Sequence, residues 1–182
     1  MERALMKELR RWKASPRRKP LVLKGARQVG KTWLMKELGR QCYAKTAYVN
    51  FDRNPRMKQV FDQDLDIERI LMAINLETGV RVTPHDTLII FDEVQEAPRA
   101  ISAFKYFCED APDYHIIAAG SQLGVAIHAG ISFPVGKVNM MQLYPLSFYE
   151  FLHAVGEEGL ARVLDDKNTE MMTLFHDRFT TW

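Results

Sequence analysis

The chain has 182 residues, 47% of them hydrophobic and 26% charged, with a formal net charge of +2. That is enough apolar material for one α/β domain with a small appendage; it does not suit disorder, and the net charge is too small to argue for a polyanion-binding protein. Cys42 and Cys108 stand at no metal or redox spacing and fit a reducing cytoplasm, and neither an apolar run of roughly 20 residues nor a signal-peptide core is found.

Charge is uneven along the chain. The first twenty residues carry eight Lys and Arg, Arg3 among them, against Glu2 and Glu8, so the remainder is net about −4, with 17 basic and 21 acidic side chains. Any attraction to nucleic acid or an anionic surface belongs to this arm, although a solvated helix face and linker explains the same residues. Leu5, Leu9 and Trp12 at i, i+4 and i+7 predict a helix over residues 2–13 with one packing face, broken by Ser15 to Pro20. Leu21 to Lys24 is short and apolar without alternation, as expected of a parallel strand covered on both faces.

That strand leads into Gly25-Ala26-Arg27-Gln28-Val29-Gly30-Lys31-Thr32, which fits the pattern G-x-x-x-x-G-K-[ST] at every constrained position. A helix is predicted over roughly 31–41, so the loop lies at a strand-to-helix turn. There glycines let the backbone approach a phosphate and the helix N-terminus adds its dipole. The pattern directs the N–H groups of residues 27–32 to a β-phosphate, Lys31 to the β- and γ-phosphates, and the Thr32 hydroxyl to Mg2+.

Thr46 to Phe51 reads as a second strand, and residues 56–82 as mainly helical. Either Asp64 or Asp66 caps a helix with Ile67, Ile70, Leu71 and Ile74 on one face and Gly79 as its stop. The acids Asp62, Asp64, Asp66 and Glu68 lack the Gly and terminal Glu of a calcium loop, and a helix N-terminus accounts for them. Then Leu88-Ile89-Ile90-Phe91-Asp92-Glu93 runs four apolar residues into two carboxylates. A buried central strand ends this way when its tip meets a cation or a reacting group. Downstream of a phosphate loop, Asp92 is expected to hold Mg2+ through water and Glu93 to polarise the attacking water.

Pro98 starts a helix that Asp110-Ala111-Pro112 ends, and Tyr114 to Ala119 forms a further buried strand. Beyond its tip, Ser121 or Gln122 either sits near a γ-phosphate or caps the next turn. Residues 123–136 read as a loop with a short helix, and Val138 to Tyr144 as a last strand. Ser147 and Glu150 make a capping box, with Leu146 and Phe151 as a hydrophobic staple, for a helix through about Val155. Gly156 and Gly159 end or interrupt it, and a helical stretch is expected around Glu170 to Phe179. The stop at Thr181-Trp182 without a capping or tail signal suggests a longer polypeptide. The five histidines are scattered at no ligand spacing.

A complete strand between the phosphate loop and the Asp strand, a Glu after the Asp, and another strand with a polar tip predict a particular architecture. It is a three-layer α/β/α P-loop fold with a mainly parallel five-stranded sheet, in the AAA/RecA-like division rather than the kinase and GTPase one. No guanine-reading motif of the Asn/Thr-Lys-x-Asp type is evident.

Four segments carry a resemblance: the loop 25–32, Phe91-Asp92-Glu93-Val94-Gln95, Ala119-Gly120-Ser121, and Leu143-Tyr144-Pro145-Leu146-Ser147-Phe148-Tyr149-Glu150-Phe151-Leu152. Together they resemble the signature set of a prokaryotic AAA-type ATPase family whose members usually carry a C-terminal domain of unknown function. The resemblance runs from about residue 18 to 155 and implies ATP and Mg2+ binding, with Ser121 in the sensor position. The family commonly has Gly-Arg-Val where this chain has Gly136-Lys137-Val138, and Lys cannot reproduce a bidentate guanidinium clamp, so a γ-phosphate sensor does not carry over to Lys137. Arg27 and Arg99 are available as arginine fingers, without an assignment.

The expected organisation is a basic helix and linker over 1–19, an ATPase domain over 20–155 and a helical segment over 156–182. The expected function is Mg2+-dependent ATP hydrolysis that drives a conformational change in a partner or C-terminal domain. The alternative is an ATP-dependent switch or scaffold with little turnover. Homo-oligomerisation, and nucleic acid held by the basic arm, are further expectations about partners.

Overall fold

Short, largely apolar runs, of which Thr87–Asp92 and His115–Ala119 are buried along their whole length, make a sheet whose carboxyl edge is left to polar residues. The computed structural model describes residues 3–120 and 133–181, so Ser121, Gln122 and the predicted short helix within 123–136 lie wholly or mostly outside the described residues. The order is α1 (Leu5–Ala14), β1 (Leu21–Lys24), α2 (Lys31–Cys42), β2 (Lys45–Asn50), α3 (Pro55–Gln63), α4 (Ile67–Thr78) and β3 (Thr87–Asp92). A 3-10 turn (Val94–Glu96), α5 (Pro98–Asp110), β4 (His115–Ala119), β5 (Asn139–Gln142), α6 (Phe148–Ala154), α7 (Glu158–Asp165), α8 (Thr169–Leu174) and α9 (His176–Thr180) follow.

The five strands lie in the order β2-β3-β4-β1-β5, and every pairing among them is parallel. All six residues of β3 and all five of β4 are buried, which is why their sequences show no alternation. Alternate strand residues face two separate cores. Val22, Val49, Ile89, Phe91 and Ile116 pack against α3, α4 and α5, where Phe91 lies between Phe51, Phe61 and Phe104. Leu21, Leu23, Leu88, Ile90 and Ile117 pack against α1 and α2. This is the three-layer α/β/α arrangement.

Several local devices set the boundaries. Asp66 caps α4 by accepting from the Arg69 N–H at 2.8 Å, while Asp64 ends α3 and pairs with the Arg69 guanidinium at 2.7 Å, so Asp66 is the N-cap. Gly79 ends α4 in the left-handed region at φ 67°. Ser147 and Glu150 form the capping box of α6. Gly156 follows α6 at φ 85°, but Gly159 does not end a helix: it lies in the first turn of α7, which packs Leu160 and Ala161 against Leu152 of α6. The apolar spacing of Leu160 and Leu164 decides there, against glycine's modest helical cost.

The basic arm is part of the packing. Met6, Leu9 and Trp12 are buried against α2 and β1 in the second core, and Arg10, Arg11, Lys13, Arg18 and Lys19 each bond to Gln41, Glu8 or backbone carbonyls.

Candidate nucleotide site

The carboxyl ends of the strands hold a cavity of about 700 Å3. In open parallel sheets ligands bind in the crevice outside these ends, beside the point where strand order reverses. β1 is that point, flanked by β4 and β5, and the loop it feeds turns into α2. Arg27, Gln28, Gly30, Lys31 and Thr32 line the cavity from the loop side, and Asp92 and Glu93 from the tip of β3.

Close approach and turn geometry fix the loop. A Cβ on Gly25 would stand 2.5 Å from the Leu143 carbonyl oxygen, so no side chain fits between β1 and the segment after β5. Gly30 is the N-cap of α2 at φ 92°, a left-handed conformation that Lys31 or Thr32 in its place would resist. The first bond of α2 runs from the Leu34 N–H to the Gly30 carbonyl at 2.9 Å, which leaves the N–H groups of Lys31, Thr32 and Trp33 at the open helix end. Val29 is buried and anchors the loop in the core of α1 and α2.

Lys31 is 8% exposed, and its Nζ donates to the carbonyls of Gly25 at 2.8 Å and Ala26 at 2.6 Å. Burial pushes its pKa below the usual lysine value, against the opposing pull of Glu93 and Asp92. Thr32 Oγ1 donates to Asp92 Oδ2 at 2.7 Å, across the 60 residues that separate them in sequence. Asp92, 3% exposed, also accepts from Tyr48 Oη at 2.9 Å on Oδ2 and from the Glu93 N–H at 3.1 Å on Oδ1. A buried carboxylate needs such donors, and here it has three. Burial, together with the hydrogen bond to Asp92 and the charges of Asp92 and Glu93, raises the Tyr48 pKa over the opposing bond from Asn50.

Glu93 turns the chain out of β3 at φ 51°, unusual for a residue with a Cβ and found where a site holds its backbone in place. Its Oε2 accepts from Gln95 Nε2 at 2.7 Å, whereas Gln95 Oε1 is buried without a partner among the described residues. Thus the loop, Asp92 and Glu93 line one cavity, and Ser121 lies outside the described residues. Lys137 is turned elsewhere, with Nζ 2.7 Å from Glu109 Oε1. Arg99 is exposed on α5, while Arg27 lines the cavity.

Sequence reading did not single out Asn50 and Arg53, which line the β2 side of the cavity, or Tyr48, whose hydroxyl reaches Asp92 from β2. The register Asn50↔Asp92 places the tip of β2 beside that of β3, and a polar tip on a strand paired with the Asp strand is the signal that marks them.

Among the described residues no group of three or more His, Cys, Asp and Glu side chains could hold a metal, and no helix is long and apolar enough to cross a membrane. A family model described as an AAA domain matches residues 17–152. Among solved structures, the Walker-type ATPase PABY2304 of Pyrococcus abyssi is similar with a TM-score of 0.54 and 18% identity, over 85% of this chain and 58% of that one. A RuvB variant of Thermotoga maritima gives a TM-score of 0.47 and 14% identity, over 80% of this chain and 45% of that one. The chain therefore spans 58% of the length of the Pyrococcus ATPase, and that likeness is one of fold. No curated protein matches the chain in sequence.

Proposed function

The chain belongs to the AAA-domain family of P-loop ATPases, and from that membership we propose that it binds Mg2+ and ATP on the loop 25–32 and hydrolyses the nucleotide with Glu93. The observation that carries this reading is the 2.7 Å contact between Thr32 Oγ1 and Asp92 Oδ2 in the same cavity wall as Lys31 and Glu93.

Two hard oxygens converging at one edge of a phosphate-sized loop fit a small divalent cation, which prefers one or two protein ligands and fills its other positions with water and phosphate oxygens. Thr32 would hold it directly and Asp92 through water. The cation supplies charge neutralisation along the phosphate chain. The N–H groups of residues 27–32 and the start of α2 bind the β-phosphate, and Gly25 and Ala26 release the Lys31 ammonium to the β- and γ-phosphates. Arg27 and Arg53 add positive charge at the cavity wall. Glu93 orients a water toward the γ-phosphorus and takes its proton as the new P–O bond forms and the bond to the β,γ-bridging oxygen breaks. ADP and phosphate leave. Ser121 completes the set as a sensor following β4, a cytoplasmic setting suits the free thiols of Cys42 and Cys108, and the conformational change is delivered to a partner or a C-terminal domain.

Phosphate release tests the assignment. Glu93→Gln keeps nucleotide affinity and loses about 10²–10⁴-fold in turnover, the range for a general base. Hydrolysis by that variant at the wild-type rate removes Glu93 from the mechanism.

A second reading, an ATP-dependent switch with little turnover, draws on the bond from Gln95 to Glu93, which occupies one carboxylate oxygen. Phosphate release measured across protein concentrations separates the two. Turnover rising with self-association supports a site shared between copies, whereas none at any concentration supports the switch.

A further inference from the structure

Arg3 lies in the segment that sequence reading treats as a basic arm, yet it is only 3% exposed. Burying a guanidinium is costly unless each of its N–H groups finds an acceptor. Its Nε donates to Glu150 Oε1 at 3.1 Å, Nη1 to the Val29 carbonyl at 3.0 Å and Nη2 to the Tyr144 carbonyl at 2.7 Å. A Cβ on Gly30 would stand 3.7 Å from Arg3 Nη1, so the guanidinium lies against the Val29–Gly30 peptide itself.

A trans peptide is planar, and its C=O and N–H point to opposite sides. Holding the Val29 carbonyl outward toward Arg3 therefore turns the Gly30 N–H the other way, into the loop that lines the cavity. Glu150 fixes the clamp from behind: Oε1 also accepts from the Ala4 N–H at 2.8 Å and Oε2 from the Ser147 N–H at 2.9 Å. Burial works against ionisation of this carboxyl, but the N–H groups of Ser147 and Ala4 and the Arg3 guanidinium outweigh it and hold its pKa below the usual value. One side chain thus joins the start of α1, the phosphate loop, the segment after β5 and α6.

We propose that Arg3 is a positioning residue for the phosphate loop, with Glu150 as its anchor: the fork of Arg3 holds the Val29–Gly30 peptide in the orientation that receives the polyphosphate of a nucleotide. The inference rests on the ATP reading above and adds to it the residue that shapes the loop from outside the motif.

Calorimetric titration of the full chain with Mg2+ and either ATP or inorganic tripolyphosphate tests it, with wild type, Lys31→Ala, Arg3→Ala, Arg3→Lys and Glu150→Gln side by side. Because hydrogen bonds to a charged donor are lost, Arg3→Ala is expected to weaken both ligands by the same factor, roughly tenfold to a hundredfold. Arg3→Lys keeps the charge without the fork and falls between it and wild type. Millimolar guanidinium restores affinity to Arg3→Ala and leaves Lys31→Ala unchanged, a response that general destabilisation would not give. Should Arg3→Ala fail to fold, Arg3→Lys and Glu150→Gln carry the test. Wild-type affinity in the folded Arg3 and Glu150 variants, with only their melting temperatures lowered, overturns the positioning role while the ATP reading stands. A wild-type chain that binds neither ligand overturns both.

Discussion

Asp92 and Glu93 are neighbours in sequence with opposite surroundings. Asp92 is held by three donors inside the sheet edge, whereas Glu93 leaves the strand through a left-handed turn and is held by Gln95 alone among the described residues. The first arrangement suits a fixed ligand and the second a group aimed at a substrate. Gln95→Ala separates the two readings of that aim. If Gln95 orients Glu93, its loss lowers turnover about tenfold or more with ATP affinity unchanged, since a hydrogen bond to a charged group is removed. A rise in turnover would mean that Gln95 restrains Glu93 and would favour the switch. At this scale the sequence is legible where chemistry constrains neighbours: the loop and the Asp-Glu pair are short, contiguous patterns. Arg3 and Tyr48 are not legible, because the partners of Arg3 lie 26, 141 and 147 residues away and Asp92 lies 44 from Tyr48, and nothing local marks a buried arginine among seven other basic residues in the arm.

Most elements declare themselves through apolar runs, caps and prolines, and β1, α4 with its Gly79 stop, α5 and the α6 capping box lie where these signals put them. β5 is shorter than the predicted 138–144 because only Asn139 to Gln142 pair with β1, and Leu143 is instead drawn in against Gly25. The end of α2 hides a different constraint. Gly39 is buried within the helix, and a Cβ there would stand 2.4 Å from Thr46 Oγ1 and 3.2 Å from its Cγ2 on β2. Helix propensity alone predicts that Gly39→Ala stabilises by up to about 1 kcal/mol. Contact with a short, branched side chain on the sheet predicts the opposite, a net loss of about 1–3 kcal/mol, because Thr46 has no flexible end to move. Urea unfolding of Gly39→Ala decides between them: a lower midpoint follows from the packing of α2 on β2, and a higher one means that the helix stands off the strand.

Across the whole molecule, α1 and α2 cover one face of the sheet and α3, α4 and α5 the other, so the first nineteen residues contribute Met6, Leu9 and Trp12 to a core instead of standing off as an arm. Net charge alone could not reveal this, whereas the i, i+4, i+7 spacing of Leu5, Leu9 and Trp12 marks a packing face within the same charged segment. The helices α6, α7 and α9 form a smaller apolar cluster of Leu152, Leu160 and Ala161 with Leu164 and Phe179, tied back to the phosphate loop through Glu150 and Arg3. A nucleotide bound at the loop acts on this assembly as a ligand of the native state alone and must raise its stability. At a hundred times its dissociation constant the gain is about 2.7 kcal/mol, or roughly 5–10 °C for a chain of this size. The most direct test is the melting temperature of the wild-type chain and of Lys31→Ala with and without Mg2+ and ATP. A rise of that order in wild type that disappears in Lys31→Ala is the predicted result; no rise in wild type, or an equal rise in both, would contradict nucleotide binding on the loop from Gly25 to Thr32.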